Sequence, residues 1–203
     1  MLPGWLVVIG TAISAISGLG YLVSTIRGKV RPNRVTYFMW SIAPIVSAVA
    51  EVSQGAGLLA IQTFSMGLFP VLTLLASLTN KKAEWKLTKF DLLCGVLSAV
   101  GLALWLITKV GDIAITFSIL ADGLASLPTI IKAYRFPESE VAWPWFATAL
   151  GVGVSVLTIK QWTLANYGFL VYSFVVVLLV ALFAKYRPRS KAHQPAPDET
   201  VML

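Results

Sequence analysis

Charge is scarce in this 203-residue chain. Asp, Glu, Lys and Arg together make up 12% of it, about half the share of a typical soluble domain. Hydrophobic residues reach 57% and the mean hydropathy is +0.80. Too little polar surface remains to coat a water-soluble particle, which excludes a soluble enzyme and makes a membrane-embedded protein the expectation.

Cysteine and histidine are nearly missing. Cys94 and His193 are the sole examples of each. A lone Cys forms no internal disulfide, and one Cys with one His builds neither a zinc site nor a Cys/His pair within a chain. Cys94 lies in an apolar run and reads as inert packing; His193 lies in a polar tail. A phosphate-cradling glycine loop, a catalytic triad, paired catalytic carboxylates and a metal cluster are all lacking. An ATP-driven pump and an intramembrane hydrolase therefore find no support, no enzyme is expected, and no cofactor or metal is implied.

What the chain does contain is long apolar runs. A membrane span needs about 20 mainly apolar residues, and seven are expected: 4–26, 35–54, 58–79, 90–110, 112–134, 141–160 and 163–185. The fourth and fifth meet at a tight turn, Lys109–Asp112. The first run lacks a charged leading segment and exceeds a usual signal-peptide core, so it reads as a mature helix. The net charge of +7 falls between these runs rather than on one folded face, which argues against nucleic acid. Fourteen of the sixteen Lys and Arg lie in the first, third and fifth connections and the tail, leaving Lys109 and Lys160 on the other side. Basic loops stay in the cytoplasm, so the N-terminus is expected outside and the C-terminus inside, in a multi-pass protein of the cell membrane. The Pro-containing tail 186–203 is expected to be disordered, with its basic start on anionic headgroups.

An internal repeat follows from sliding the chain by 105 residues, with no gap. Gly18-Leu19 falls on Gly123-Leu124, Leu22 on Leu127, Ile26 on Ile131, Pro32 on Pro137, Trp40 on Trp145, Phe64 on Phe169 and Phe69 on Phe174. Fifteen of the 73 positions from 10 to 82 are identical, and the matched Pro and Trp argue against a coincidence of apolar composition. Three spans plus one linker preserve direction, so the two triplets are parallel. The expected organisation is a first three-helix bundle (1–82), a linker helix with flanking loops (83–111), a second bundle (112–185) and the tail.

An all-α 3+1+3 plan with this orientation resembles the SWEET and PQ-loop superfamily of small transporters, and parallel repeats are known from SWEETs. The segment Leu127-Pro128-Thr129 resembles the Pro-Gln motif of the second triplet, with Thr in place of Gln. Val23-Ser24 stands at the matching place in the first triplet. The resemblance implies a carrier for a small polar solute working by alternating access. It also implies pocket residues of the Trp and Asn type, for which Trp40, Trp145 and Asn166 match, and intramembrane prolines acting as hinges.

The residues themselves indicate where a solute would sit. Ser118, Asp122, Ser126 and Thr129 share one helix face, and Ser17, Tyr21 and Ser24 are the offset counterparts of the last three. Such a stripe faces a bundle interior or a water-filled path, or serves close helix packing. Asp122 lies ten residues into its span, ~15 Å deep, near the midplane. A charged carboxylate there costs several kcal/mol without a partner, so Asp122 is expected to be protonated or paired, and it offers a route to proton coupling or to binding a cationic solute. Gln62 and Asn166 are expected donors to a polar solute, while Glu51 reads as a solvated helix end or an outer gate. Pro44, Pro70, Pro128 and Pro144 lie within spans, where each removes a backbone hydrogen bond and can kink its helix; Pro44, Pro128 and Pro144 are the candidate hinges. Tyr37, Phe38, Trp40, Trp143 and Trp145 form either an interfacial belt or an inner aromatic gate. The expected partners are a small polar solute and the lipid bilayer, with a homo-oligomer compatible with the pattern. Two alternatives stand beside the carrier: a facilitator of the nicotinamide riboside type, and a non-transporting receptor or scaffold with the same fold.

Overall fold

In a bilayer every backbone polar group must be satisfied within the protein, and this chain does so with helices. The computed structural model describes residues 3–83, 85–108 and 111–186. The described residues form seven α-helices: α1 (Leu6–Ile26), α2 (Arg34–Ser53), α3 (Leu58–Thr79), α4 (Lys89–Thr108), α5 (Gly111–Arg135), α6 (Ala142–Val156) and α7 (Leu164–Tyr186). Five of them, α1, α2, α3, α5 and α7, are long and apolar enough to cross a membrane, and α6 is a shorter apolar helix. The protein is an all-helical, multi-pass membrane protein. Lys109 in the α4–α5 turn and the tail from 187 onward, His193 included, lie outside the described residues.

Most helix limits fall within two residues of the expected spans. α6 differs, ending at Val156 rather than near 160. Thr158 and Ile159 turn back onto the carbonyls of Ser155 and Val156, and Thr158 Oγ1 donates to Ser155 O at 2.6 Å. A hydroxyl that competes for a terminal carbonyl favours such an ending, and Gly151 and Gly153 weaken the helix before it.

The connections are built with recognisable caps. Gly28, at φ +67°, closes α1: its N–H bonds Thr25 O while the Lys29 N–H bonds Ser24 O, the paired bonds of a Schellman ending that needs a left-handed residue. Asn80 Nδ2, at the end of α3, donates to Thr25 O and Ile26 O. Asn33 caps α2, its Oδ1 accepting from the N–H groups of Val35 and Thr36. The Arg31 N–H reaches Ser139 O. These bonds gather the segments around 25–34, 80–82 and 132–140 at one end of the molecule, here called the basic end.

Packing is reversed relative to a soluble protein. Ile16, Leu19, Val49, Val52, Leu75, Val96 and Leu150 are exposed, whereas Ser47, Gln62, Thr73, Ser118, Asp122, Thr129 and Ser155 are buried. Lipid replaces water outside, and hydroxyls and amides join helices within. α3 packs against both α1 and α2, and α7 against both α5 and α6. α1 runs along α6, α2 along α5, and α4 covers α5 with a lighter contact to α2. Close approach needs small residues: a Cβ on Gly10 or Gly151 would collide with the backbone of the other, and one on Gly18 with the Phe69 ring.

Candidate functional site

At mid-depth a cavity of about 100 Å³ opens between α1, α2, α3, α5, α6 and α7. Asp122, Ser14, Ser17, Ser65 and Thr148 supply polar atoms to its walls, and Phe69 and Phe169 supply apolar faces. Asp122 is the one Asp, Glu, Lys or Arg among the described lining residues. It is 5% exposed, and Tyr172 donates its phenol O–H to Asp122 Oδ2 at 2.7 Å. Depth, pairing and cavity therefore meet at this carboxyl.

Toward the basic end, four aromatic side chains form a closed ring beneath the cavity. Tyr21 stacks on Tyr37 with ring centroids 5.6 Å apart, Tyr37 meets Trp40 edge-on at 5.4 Å, Trp40 meets Trp145 at 5.8 Å, and Trp145 returns to Tyr21 at 5.4 Å. These are favourable stacked and edge-to-face separations. All four rings line the cavity, so they form its floor. Phe38 and Trp143, sequence neighbours of the set, are instead about half exposed.

Below the ring sits an ion pair that the sequence reading did not anticipate. Lys132 Nζ lies 2.5 Å from Glu140 Oε1, with side chains 1% and 0% exposed. Tyr21 donates to Glu140 Oε2 at 3.0 Å and Trp145 Nε1 donates to the same oxygen at 3.1 Å. Lys132 Nζ also donates to Arg31 O at 2.5 Å and lies 5.2 Å from the centre of the Trp85 ring. Buried charge is tolerated where it is paired and its remaining donors and acceptors are satisfied, and both conditions hold. Lys132 reads in the sequence as one of the orientation charges, and nothing in the sequence singles out Glu140. The one local signal was their spacing across the Phe136-Pro137 turn, which brings the end of α5 back toward the start of α6.

Toward the opposite end, Gln62 bridges three helices. Its Nε2 donates to Ser14 Oγ at 3.0 Å, and its Oε1 accepts from Ser155 Oγ at 3.4 Å. The bridge lies beside the Gly10–Gly151 crossing and narrows the α1–α6 seam above the cavity.

The remaining expected residues divide clearly. Ser17 lines the cavity, donates to the carbonyl of Pro144 and shares a 2.7 Å hydrogen bond with Thr148 Oγ1. Tyr21, Trp40, Trp145, Pro44 and Pro144 line it as well. Ser126 is buried but donates within its own helix to Gly123 O. Ser24 does the same to Gly20 O. Asn166 is not brought to the cavity: it lies at the opposite end, donating to Gln161 O at 2.8 Å. Glu51 is not a solvated helix end: it is 2% exposed, with Ser47 Oγ donating to Oε1 at 3.0 Å. Among the prolines, Pro44, Pro70 and Pro128 interrupt helices. Pro144 stands in the first turn of α6, where its missing N–H has no intrahelical partner to lose, so it does not kink that helix. Comparison of the chain with protein-family models, with curated proteins and with solved structures finds no match.

Proposed function

We propose that this chain is a seven-helix carrier resembling the SWEET and PQ-loop transporters, moving a small polar solute by alternating access. The 3+1+3 plan draws support from the helix positions: α5, α6 and α7 begin 105, 108 and 106 residues after α1, α2 and α3. The packing repeats in the same sense, with α3 between α1 and α2 as α7 is between α5 and α6, and with the α1–α6 contact mirrored by α5–α2. α4 stands outside this scheme as the linker. The distribution of Lys and Arg favours an outer N-terminus and a cytoplasmic C-terminus.

The observation that carries the reading is the mid-depth cavity on the seam between the two triplets. A cavity that contacts both halves and carries a few polar groups on largely apolar walls suits a rocking carrier. The aromatic ring and the Lys132–Glu140 pair lie toward the basic end of the cavity, and the Gln62 bridge lies toward the other. Asp122 is the residue through which proton movement would couple to solute movement.

Counterflow in liposomes tests the proposal. Purified protein, reconstituted and preloaded in turn with sugars, amino acids and vitamin precursors including nicotinamide riboside, is expected to accumulate trace label of one class. Asp122→Asn is expected to change that flux or its pH dependence. Saturable binding without flux in any panel member would overturn the carrier in favour of a receptor with the same fold.

A further inference from the structure

The cavity has a definite chemical preference, and it follows from what lines it. We infer that it binds a small organic monocation, a compact alkylammonium about the size of tetramethylammonium. The inference rests on the carrier reading for its transport, although not for its binding.

Three observations converge. The first is electrostatic. Asp122 is the one acidic or basic side chain of the Asp, Glu, Lys and Arg type among the described lining residues, and the nearby buried cation is already committed. Lys132 lies beyond the aromatic floor, bound to Glu140 and to Arg31 O. A solute in the cavity thus meets one carboxylate with no lining cation to balance it. The Coulomb attraction for a positive guest is strong where water is scarce, and an anion is rejected by the same field.

The second observation concerns the rings. Tyr21, Tyr37, Trp40 and Trp145 form the floor, while Phe69 and Phe169 stand on the walls. Aromatic faces are electron-rich and attract alkylammonium groups, whose methyls also bury against them. Methylation also keeps water at a larger radius from the charge, which lowers the cost of leaving solvent compared with a bare metal cation.

The third observation disfavours the obvious competitor, a sugar or polyol. Such a guest needs convergent free donors and acceptors, but Ser17, Ser65, Tyr21 and Thr148 are engaged with protein partners, which leaves Thr73 and Ser173 as the lining hydroxyls without one. Ser17 donates to Pro144 O, Ser65 donates to Gln62 O at 2.8 Å, and Tyr21 donates to Glu140. A cavity of about 150 Å³ accommodates benzene, so about 100 Å³ limits the guest to a few heavy atoms.

The test uses full-length protein in detergent, titrated with tetramethylammonium chloride and with tert-butanol as a neutral guest of similar size, at constant ionic strength set with sodium chloride. Binding is read by tryptophan fluorescence and by thermal shift. Saturable binding of tetramethylammonium is expected, with tert-butanol at least tenfold weaker. Asp122→Asn, nearly isosteric, is expected to weaken the cation at least tenfold. Trp40→Leu, which removes one ring and leaves Asp122 in place, is expected to weaken it by about 2- to 30-fold. A melting curve for each variant establishes folding, and if one fails to fold the other carries the comparison. Equal binding of tert-butanol, no saturable binding of tetramethylammonium, or unchanged affinity in the folded variants overturns the inference. Liposome flux separates it from the carrier reading: cation binding without flux retains the ligand class and removes transport, whereas counterflow of a neutral solute without cation binding does the reverse.

Discussion

Replacing Lys132 with Met removes the positive partner of a buried carboxylate while keeping most of the side-chain volume. Glu140 would retain the Tyr21 and Trp145 donors, but its charge would stand uncompensated with both side chains of the former pair at 1% and 0% exposure. Breaking a buried pair on one side costs about 3–5 kcal/mol. At about 2–4 °C per kcal/mol for a chain of this size, the midpoint of thermal unfolding should fall by about 6–20 °C. Glu140→Gln should cost less, because Lys132 keeps the Arg31 carbonyl and the Trp85 face and Gln can still accept from Tyr21. The double variant K132M/E140Q carries no buried charge, and replacing a whole pair is often neutral or better, so it should recover to within about 2 kcal/mol of the parent. The assay is intrinsic-fluorescence melting of all four proteins in one detergent, closed as a double-mutant cycle. The reasoning fails if Lys132→Met costs under about 1 kcal/mol, the range of an exposed pair, or if the double variant loses the sum of the singles.

Other perturbations have definite expected outcomes. Gly151→Val would drive a side chain into the Gly10 carbonyl and Ser14, and overpacking of about 1–3 kcal/mol should lower the melting midpoint while Gly4→Val, where nothing crowds the site, should not. Asn33→Ala removes the acceptor for two N–H groups at the start of α2 and should cost about 1 kcal/mol, seen as faster hydrogen exchange in the first turn of that helix. Gln62→Leu severs the link to Ser14, while Ser155 keeps Gly151 O as an acceptor; the loss should stay near the average of about 0.6 kcal/mol for interhelical bonds in membranes and below their maximum of about 1.7 kcal/mol. Tyr172→Phe leaves Asp122 without its 2.7 Å donor and should cost about 1.5–3 kcal/mol, measured by thermal unfolding at fixed pH.

Helix number and limits are legible in the sequence because lipid imposes length and apolarity on every span. The limits of α3 in particular, Leu58–Thr79, are those expected from the apolar run alone. α6 is the exception, since its end is decided by a hydroxyl and two glycines rather than by hydropathy. Asp122 stands out in the sequence because an acid amid apolar neighbours is anomalous wherever it occurs. Glu140 does not stand out, because an acid in a polar connection is ordinary, and its burial depends on two connections folding against each other. The same holds for Glu51, whose place near a helix end says nothing of the neighbours covering it, and for Asn166, whose side chain turns to its own loop. Tyr172 is invisible for a related reason: a Tyr within an aromatic-rich span acquires meaning only through the acid it faces.

The membership of the Lys132–Glu140 cluster by chain segment has a mechanical consequence. Both charges, and Trp145 with them, belong to α5, α6 and the turn between them, whereas Tyr21 and the Arg31 carbonyl come from α1 and the connection after it. Separating the first three helices from the last three would carry the ion pair away whole. What must rupture at this point is a phenol–carboxylate bond and an ammonium–carbonyl bond, each worth about 1.5–3 kcal/mol, along with the Arg31–Ser139 backbone bond. No charge need be stranded in lipid at any stage. Were the two triplets to rock apart as the carrier proposal requires, the cluster would act as a latch whose charged part stays assembled, and releasing it would take far less energy than pulling two buried ions apart.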